Sequence, residues 1–327
     1  MDIPLRLSRR SLLAAAVAVP AANPDVAGFA VFIAGVKAEA RKAGIRQATL
    51  DRAFQGVRVN QRVIELDRHQ PEFTLTWEQY RSRIVAEPRI TRGRALYAQY
   101  RGLLTAVEQR FGVPPGPILG IWGLESDYGQ STGGFNVIEA LATLSWEGRR
   151  AAFFRGELMD ALKILDHGDI SVERMTGSYA GAMGQPQFMP DSFLKFAVDF
   201  SGNGKRDIWS DPGDIFASVA NYLARSGWTD RLPWGVPARL PAGFDAGLAG
   251  RDNRKRVDEW ARLGVVSAGA ALPADAMVAV ILPGGQAGGP AGQAFLACHP
   301  NFLAIRRYNP SDFYCLSVGL IGDRVTA

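Results

Sequence analysis

Glu125 is the residue whose type and position most directly suggest chemistry. It stands at the carboxyl end of residues 117–126, an apolar run without a polar face, which predicts a helix buried on all sides. Burial would raise the pKa of its carboxyl, and the negative end of the helix would raise it further. A carboxyl that keeps its proton near neutral pH suits general acid catalysis. A glutamate that merely ends the helix in solvent is the alternative reading.

Asp127 is the nearest candidate for a second catalytic carboxylate, as two-carboxylate glycosidases require. Side chains two positions apart on a helix point about 200° away from each other and do not share a face. We therefore interpret Asp127 as a local cap or a surface charge. If this protein cleaves a glycosidic bond, the spacing favours a mechanism with a single carboxyl group.

Small residues fill the stretch from Gly177 to Gly184, which runs directly into Gln185-Pro-Gln-Phe-Met-Pro190. Residues without large side chains let a ligand or a neighbouring helix approach the backbone closely. A ligand-binding segment and a tight helix contact are both consistent with this pattern.

Oxygen-bearing side chains recur from residue 199 at the spacing of a calcium loop. Asp199, Ser201, Asn203 and Asp207 occupy positions 1, 3, 5 and 9, with glycine at position 6. Ser210 takes the position of the usual bidentate glutamate, and Asp214 could supply that carboxylate instead. The pattern predicts a weak structural cation site, against the alternative of a turn that binds nothing.

Four tyrosines could stack on sugar rings, although any one of them is more often a core residue. They are Tyr80, Tyr179, Tyr222 and Tyr308.

The composition is that of an ordinary globular protein. The chain has 327 residues, of which 47% are hydrophobic and 21% charged, so disordered and fibrous classes are excluded. The net charge of +5 is a mild basic excess that suits an anionic polymer such as cell-wall glycan. It is too weak, and too little clustered, to predict nucleic-acid binding.

The first 22 residues read as an export signal. A basic segment that ends at Arg10 precedes a short apolar run, residues 11–21, and a membrane span would need about 20 residues. Ser8-Arg-Arg-Ser-Leu-Leu13 resembles a twin-arginine signal, and a Sec signal with two ordinary basic residues is the alternative. No cysteine near the cleavage site offers a lipid attachment point. We therefore expect an exported, soluble protein. Cys298 and Cys315 could form one disulfide or remain two buried free thiols.

Helical periodicity dominates the chain and predicts a mainly α fold with a minor β lobe. The composition becomes richer in proline and glycine over residues 229–292, where the run Met277–Leu282 resembles a strand. The spacing predicts helices over residues 27–43, 47–54, 76–87, 91–111, 117–126, 136–145, 149–167, 190–199, 212–226, 255–263, 300–307 and 311–325, and leaves residues 60–75 irregular.

Several ordered segments resemble the lytic murein transglycosylases of the membrane-bound lytic transglycosylase B type. The resemblance covers about residues 27–327, and the order of the segments makes it specific. The matching segments are Gln70-Pro-Glu-Phe73 with Trp77 and Tyr80, Phe111-Gly-Val-Pro114, Ile121-Trp-Gly-Leu-Glu125-Ser-Asp-Tyr-Gly129, Ala140-Leu-Ala-Thr-Leu144 with Arg149-Arg150, Gly177 to Pro190, Asp199 to Asp207, Ser218-Val-Ala-Asn-Tyr222 with Gly227-Trp228, and Arg307-Tyr-Asn309.

The resemblance implies a lysozyme-like helical core with an added α domain and a small β lobe. It places a signal peptide at 1–22 and a catalytic unit at 23–327, which divides into an α domain at about 27–115, a core at about 116–228 and 300–327, and a β lobe at about 229–299. It also implies cleavage of the β-1,4 bond between N-acetylmuramic acid and N-acetylglucosamine in peptidoglycan. No water is consumed, because the muramyl C6 hydroxyl closes on C1 and leaves a 1,6-anhydro end.

By the same resemblance Glu125 is the sole acid/base, and no cofactor takes part in catalysis. The residues implied to contact the glycan are Tyr80, Arg149, Arg150, Ser178, Gln187, Tyr222, Tyr308 and Asn309, the two arginines through lactyl or stem-peptide carboxylates. A structural Ca²⁺ (or Na⁺) would be held by Asp199, Ser201, Asn203, the carbonyl of Lys205 and Asp214. Two departures from the family's loop favour weak binding of the cation: Asn203 replaces the usual aspartate, and the loop is one residue longer.

The implied location is the periplasm, without a lipid anchor, and the implied partners are peptidoglycan strands and other cell-wall enzymes. We expect no peptidoglycan-binding module after residue 327. Two alternatives stay open at this point. One is a hydrolytic muramidase on the same fold, and the other is a non-catalytic peptidoglycan-binding protein.

Overall fold

Helices make up most of the structure, a computed structural model that describes residues 26–68, 75–285 and 293–327. The signal segment 1–22 and the Gln70–Phe73 motif lie outside the described residues. The helices are α1 (Val26–Lys42), α2 (Gln47–Ala53), α3 (Gln61–Arg68), α4 (Trp77–Ile84), α5 (Glu87–Phe111), α6 (Pro115–Ser126), α7 (Val137–Glu147), α8 (Ala151–His167), α9 (Pro190–Phe196), α10 (Pro212–Arg225), α11 (Val257–Arg262), α12 (Asn301–Tyr308) and α13 (Asp312–Thr326). The strands are β1 (Phe135–Asn136), β2 (Thr176–Gly177), β3 (Gly235–Arg239), β4 (Arg254–Arg256), β5 (Val266–Ser267), β6 (Met277–Ile281) and β7 (Ala294–Cys298).

The predicted helices are all present, with ends that differ by a few residues. The clearest differences concern α3, which falls in the segment predicted to be irregular, and α11, whose expected first turn is strand β4. Helix α3 contains only two apolar residues on its buried face, Val63 and Ile64, so its periodicity is too short to recognise. Its start is set by tertiary contacts, since the Asn60 N–H donates to Thr143 and its side chain donates to Glu139.

The described residues fall into two compact units. The first unit contains residues 75–124, 220–285 and 293–327, and the second contains residues 26–68 and 125–219. The three-part division given above stays a prediction, because these two units are not a test of its boundaries.

Helix α6 is packed in the first unit through glycines that bring two backbones together. A Cβ at Gly120 would lie 2.1 Å from the carbonyl oxygen of Val318 on α13, and a Cβ at Gly322 would lie 2.4 Å from the carbonyl oxygen of Gly116. Ile118, Leu119 and Ile121 are fully buried, as the absence of a polar face predicts. The helix that leads to Glu125 is therefore held closely by α13.

A five-stranded antiparallel sheet also belongs to the first unit, with strand order β4-β6-β7-β3-β5. One face packs around Trp260 of α11, which is fully buried and donates its indole N–H to the carbonyl oxygen of Val278. Strands β3 to β6 lie within residues 229–292, where the change in composition predicts β structure, and β7 lies just beyond that range.

Cys298 and Cys315 are both buried free thiols, so the structure favours the second of the two alternatives. Burial raises the pKa of Cys298 to about 12 and that of Cys315 well above its ordinary value. Neither thiol therefore has thiolate character near neutral pH. None of the helices among the described residues is long and apolar enough to cross a membrane.

Candidate active site

Glu125 lies in the last turn of α6 and is partly exposed, and a tightly fixed turn follows it. The Ser126 hydroxyl accepts the N–H of Gly129 at 3.0 Å, and the Ser126 carbonyl accepts the N–H of Ser131 at 2.8 Å. Asp127 and Tyr128 have φ of 50° and 59°, a left-handed conformation that L residues adopt rarely. Asp127 therefore lies beyond the helix, in a turn that departs sharply from the helical path.

The Gly-rich stretch packs against this turn within the second unit. A Cβ at Gly133 would lie 2.1 Å from the carbonyl oxygen of Gly177, and one at Gly129 would lie 2.4 Å from the side chain of Gln185. Strands β1 and β2 pair next to these contacts. The small residues thus permit a close approach between two loops, and neither of the two loops is helical at the contact.

Ser178 and Gln187 are both buried in this stretch. The Ser178 hydroxyl oxygen accepts the N–H groups of Ala180 and Ala182 at 3.3 and 3.0 Å, an arrangement that leaves its proton to be donated elsewhere. The Gln187 Nε2 donates to the carbonyls of Thr132 and Gly184 at 2.9 and 2.8 Å. Gln187 therefore ties the turn after Glu125 to the Gly-rich stretch.

The predicted cation loop is an Asp-centred turn in the second unit. The two oxygens of Asp199 accept the N–H groups of Gly202, Asn203 and Gly204 at 2.7, 3.1 and 2.8 Å. Asn203 Oδ1 accepts the N–H of Lys205 at 3.0 Å, and Ser201 lies 3.4 Å from Asp199 through its hydroxyl. These bonds give the loop its closed shape.

Asp214 joins the two arms of the same loop. It is fully buried, with Oδ1 accepting the N–H groups of Phe200 and Ser201 and Oδ2 accepting the N–H of Asp207. Burial raises the pKa of its carboxyl, and these hydrogen bonds partly offset the rise. Among the described residues, no group of three or more His, Cys, Asp or Glu side chains is arranged to hold a metal ion.

The cation loop also supports the Gly-rich stretch. The Gln185 N–H donates to the carbonyl of Ile208, and its side chain donates to the carbonyl of Trp209, both at 2.9 Å. The Trp209 indole N–H donates to the carbonyl of Thr176 at 3.0 Å. The loop therefore braces the segment that carries Ser178 and Gln187.

Arg149 and Arg150 share one buried carboxylate, a contact that the sequence analysis missed. Asp67 accepts from Arg149 at 2.7 Å and from Arg150 at 2.8 Å, and its side chain is 2% exposed. Asp67 precedes them by more than 80 positions, so only the folded chain shows the pairing. Two cations on one anion leave one positive charge in excess at this point of the second unit.

Tyr222, Tyr308 and Asn309 come together in the first unit. The Tyr222 and Tyr308 rings lie 4.7 Å apart between centroids, and both residues are buried. The Tyr222 hydroxyl donates to the carbonyl of Arg307 at 2.6 Å. Asn309 ends α12 and accepts the N–H of Ser311 through Oδ1 at 3.1 Å.

Tyr80 belongs to the first unit as well, in an aromatic cluster with Trp77 and Phe313. With Phe313 it lines a cavity of about 320 Å³, together with Leu75, Ser311 and Asp312. Tyr179 belongs to the Gly-rich stretch in the second unit and is partly exposed. Three of the four tyrosines, Tyr80, Tyr222 and Tyr308, therefore belong to the first unit, and Tyr179 belongs to the second.

Comparison with known proteins decides the family. The family described as "Transglycosylase SLT domain" matches residues 28–323, almost the whole chain. This chain belongs to the transglycosylase SLT domain family. The predicted enzyme class, a lytic transglycosylase of peptidoglycan, and the predicted fold class, mainly α with a lysozyme-like helical core, are confirmed.

Relatives of this SLT-domain chain agree with the assignment. The membrane-bound lytic murein transglycosylase B of Escherichia coli is 34% identical over 255 residues, which are 76% of this chain and 67% of the relative. SltB3 from Pseudomonas aeruginosa is 45% identical, with 91% of this chain and 80% of that one covered. Its complexes with NAG-NAM-pentapeptide and NAG-anhNAM-pentapeptide give TM-scores of 0.86 and 0.87. The E. coli lytic transglycosylase Slt35 in complex with calcium is 31% identical, with coverage of 92% and 93% and a TM-score of 0.76.

Proposed function

We propose that this lytic transglycosylase cleaves the β-1,4 bond between N-acetylmuramic acid and N-acetylglucosamine, with Glu125 as its single acid and base. The Glu125 carboxyl first gives its proton to the glycosidic oxygen as the bond to C1 breaks. The resulting carboxylate then takes the proton of the muramyl C6 hydroxyl as that oxygen bonds to C1. The products are a free N-acetylglucosamine hydroxyl and a 1,6-anhydromuramyl end, and Glu125 is protonated again.

The observation that carries this proposal is the position of Glu125. It ends a helix that α13 packs closely, and a turn fixed by Ser126 and Gln187 follows it. A general acid must be held in place relative to the bond that it protonates, and fixed neighbours supply that constraint. Asp127 lies beyond the helix, in the left-handed turn. This position supports a mechanism in which Glu125 is the single catalytic carboxyl group. The two SltB3 complexes, with a muramyl and an anhydromuramyl ligand, fit the same reaction.

We further propose that Ser178 and Asn309 hydrogen-bond the sugar and that Tyr80, Gln187, Tyr222 and Tyr308 shape its binding surface. Ser178 retains a hydroxyl proton for an N-acetyl carbonyl, and Asn309 retains its amide nitrogen, since Oδ1 accepts from Ser311. The excess positive charge of Arg149 and Arg150 beside Asp67 suits a lactyl or stem-peptide carboxylate.

The expected products of purified peptidoglycan are muropeptides one water lighter than hydrolysis would give. Mass spectrometry of the soluble fraction measures this directly, and reduction with borohydride is the control, because anhydro ends lack a reducible group. Products with full reducing ends would instead establish a hydrolytic muramidase. Retention on the wall without release would establish a binding protein.

We propose a weak structural Ca²⁺ site (with Na⁺ as the alternative ion) in the loop that Asp199 begins. The donors fit this ion because they are all oxygens: the side chains of Asp199, Ser201 and Asn203 and the carbonyl of Lys205. Gly204 has φ of 85° at the sharp turn that such loops require. Asp214 would complete the set, although both its oxygens already accept backbone N–H groups, and the affinity is therefore expected to be low.

Calcium is expected to raise the melting temperature by about 2–4 °C at ten times its dissociation constant, because it binds only the folded loop. Thermal unfolding with and without a chelator measures the shift. Asp199→Asn should abolish it, Asn203→Asp should enlarge it, and Asp230→Asn, which removes one carboxylate outside the loop, should leave it unchanged. A shift that survives in Asp199→Asn would place the ion elsewhere.

We also propose an exported, soluble protein of the periplasm. The support is the short basic and apolar segment at residues 1–22, together with a substrate that lies outside the cytoplasmic membrane.

A further inference from the structure

Arg307 lies in the last turn of α12, immediately before Tyr308 and Asn309, and is fixed at both ends. Its backbone carbonyl accepts the Tyr222 hydroxyl at 2.6 Å. Its guanidinium donates from Nη1 to the carbonyl of Ser226 at 2.9 Å, just beyond the end of α10. The side chain is nevertheless exposed, so the guanidinium is held in place at the surface.

The charge of Arg307 is not matched by an acid in the described part of the chain. Its neighbour Arg306 pairs with Asp312 at 3.2 Å, whereas Arg307 forms no ion pair with a described carboxylate. A guanidinium carries five N–H donors in one plane, and the described contacts use one of them. Donors therefore remain that a second acceptor, brought by a ligand, could take.

Arg149 and Arg150 provide the contrast. They share the single buried carboxylate of Asp67 and keep one excess positive charge between them, whereas Arg307 keeps its whole charge. Arg307 combines what a carboxylate receptor needs: full charge, exposure, and a side chain that a carbonyl anchors before the ligand arrives. It also adjoins Tyr222, Tyr308 and Asn309, which we propose as glycan contacts.

We propose that Arg307 binds a carboxylate of the stem peptide on the muramyl residue and so gives the enzyme a preference for peptide-bearing glycan. This inference rests on the proposed function, since it takes the same glycan as the ligand. A planar guanidinium can meet a carboxylate through two parallel N–H donors, which a lysine could not reproduce. The Ser226 carbonyl would position the guanidinium for that contact.

The test measures dissociation constants in the Glu125→Gln background by calorimetry, with two GlcNAc–MurNAc tetrasaccharides that differ only in the presence of stem peptides. Arg307→Gln is expected to weaken binding of the peptide-bearing ligand about 10-fold, as the loss of a charge-assisted contact would. It should change binding of the peptide-free ligand less than about 2-fold. Arg231→Gln, which removes an exposed charge outside α12, is the matched control and should change neither.

Three outcomes would overturn the proposal. Equal weakening of both ligands would show that Arg307 only holds Tyr222 and α10 in place. If Arg307→Gln leaves the affinity for the peptide-bearing ligand unchanged, Arg307 does not contact the stem peptide. If the parent protein binds both ligands alike, or binds neither, the enzyme has no preference for peptide-bearing glycan. Failure of the proposed function is seen separately, as parent protein that releases no anhydro product from the wall.

Discussion

Glu125→Gln is expected to lower the rate of glycan cleavage about 1000-fold while the protein remains folded and bound to peptidoglycan. One carboxyl group both donates and accepts a proton during the reaction, and each transfer by a positioned carboxyl accelerates the reaction by a factor of about 10²–10⁴. The amide has nearly the same shape as the protonated carboxyl but no acidic proton. The rate of release of anhydromuropeptides measures the loss, and thermal unfolding verifies the fold.

Asp127→Asn is the matched control for this substitution. It removes a carboxylate two residues away, and asparagine tolerates the left-handed conformation that residue 127 adopts, with φ of 50°. We expect its activity to stay within about 3-fold of the parent, since a surface charge contributes little. If Asp127→Asn loses as much as Glu125→Gln, the single-carboxyl mechanism is wrong. If Glu125→Gln retains most of its rate, another group moves the proton.

The helix before Glu125 could be predicted, but the turn after it could not. Helix α6 is buried on all sides, and an uninterrupted apolar run carries that information locally. Asp127 and Tyr128 instead adopt left-handed conformations that their own sequence disfavours. Loop contacts hold them, among them Gly129 against Gln185, a residue 56 positions later in the chain. Sequence periodicity carries information only about residues a few helical turns apart, so it does not reveal such a contact.

The arginines illustrate the same limit for charge. Arg149 and Arg150 look like free cations in the sequence, and their pairing with Asp67 depends on how α3 and the start of α8 come together in the second unit. Helix α3 could not be predicted, because its buried face contains too few apolar residues to show a helical period. Residue types therefore pointed to the reaction and to Glu125, while the pairing of the two arginines with Asp67 required the folded structure.

The spacing of the calcium-loop pattern predicts the shape of the loop as well as a bound ion. The spacing of Asp199, Asn203 and Gly204 predicts a compact turn, and the structure has one, closed by backbone N–H groups. The sequence did not show that the end of this loop reaches the Gly-rich stretch through Gln185 and Trp209. The loop thus supports the segment that carries Ser178, whether or not it binds an ion.

Gln187→Glu is expected to destabilise the protein by about 2–4 kcal/mol and to remove most of its cleavage activity. The native Nε2 gives both its hydrogens to carbonyls, those of Thr132 and Gly184, at 2.9 and 2.8 Å. A carboxylate in its place would bring a negative oxygen against two carbonyl oxygens, in a residue that is 9% exposed. Burial of a group without partners carries a cost of this size, and the backbone there already has φ of 54°.

Loss of this contact should affect cleavage because Thr132 belongs to the turn that follows Glu125. Urea unfolding measures the stability, and release of anhydromuropeptides measures the activity of the folded fraction. Gln130→Glu is the control: it adds the same charge to an exposed side chain of that turn and should cost less than about 0.5 kcal/mol. Gln187→Met removes both donors without adding charge and should fall between the two. An unfolding midpoint for Gln187→Glu equal to that of the parent would mean that Gln187 does not hold these loops together, and the constraint on Glu125 would then have to come from α6 alone.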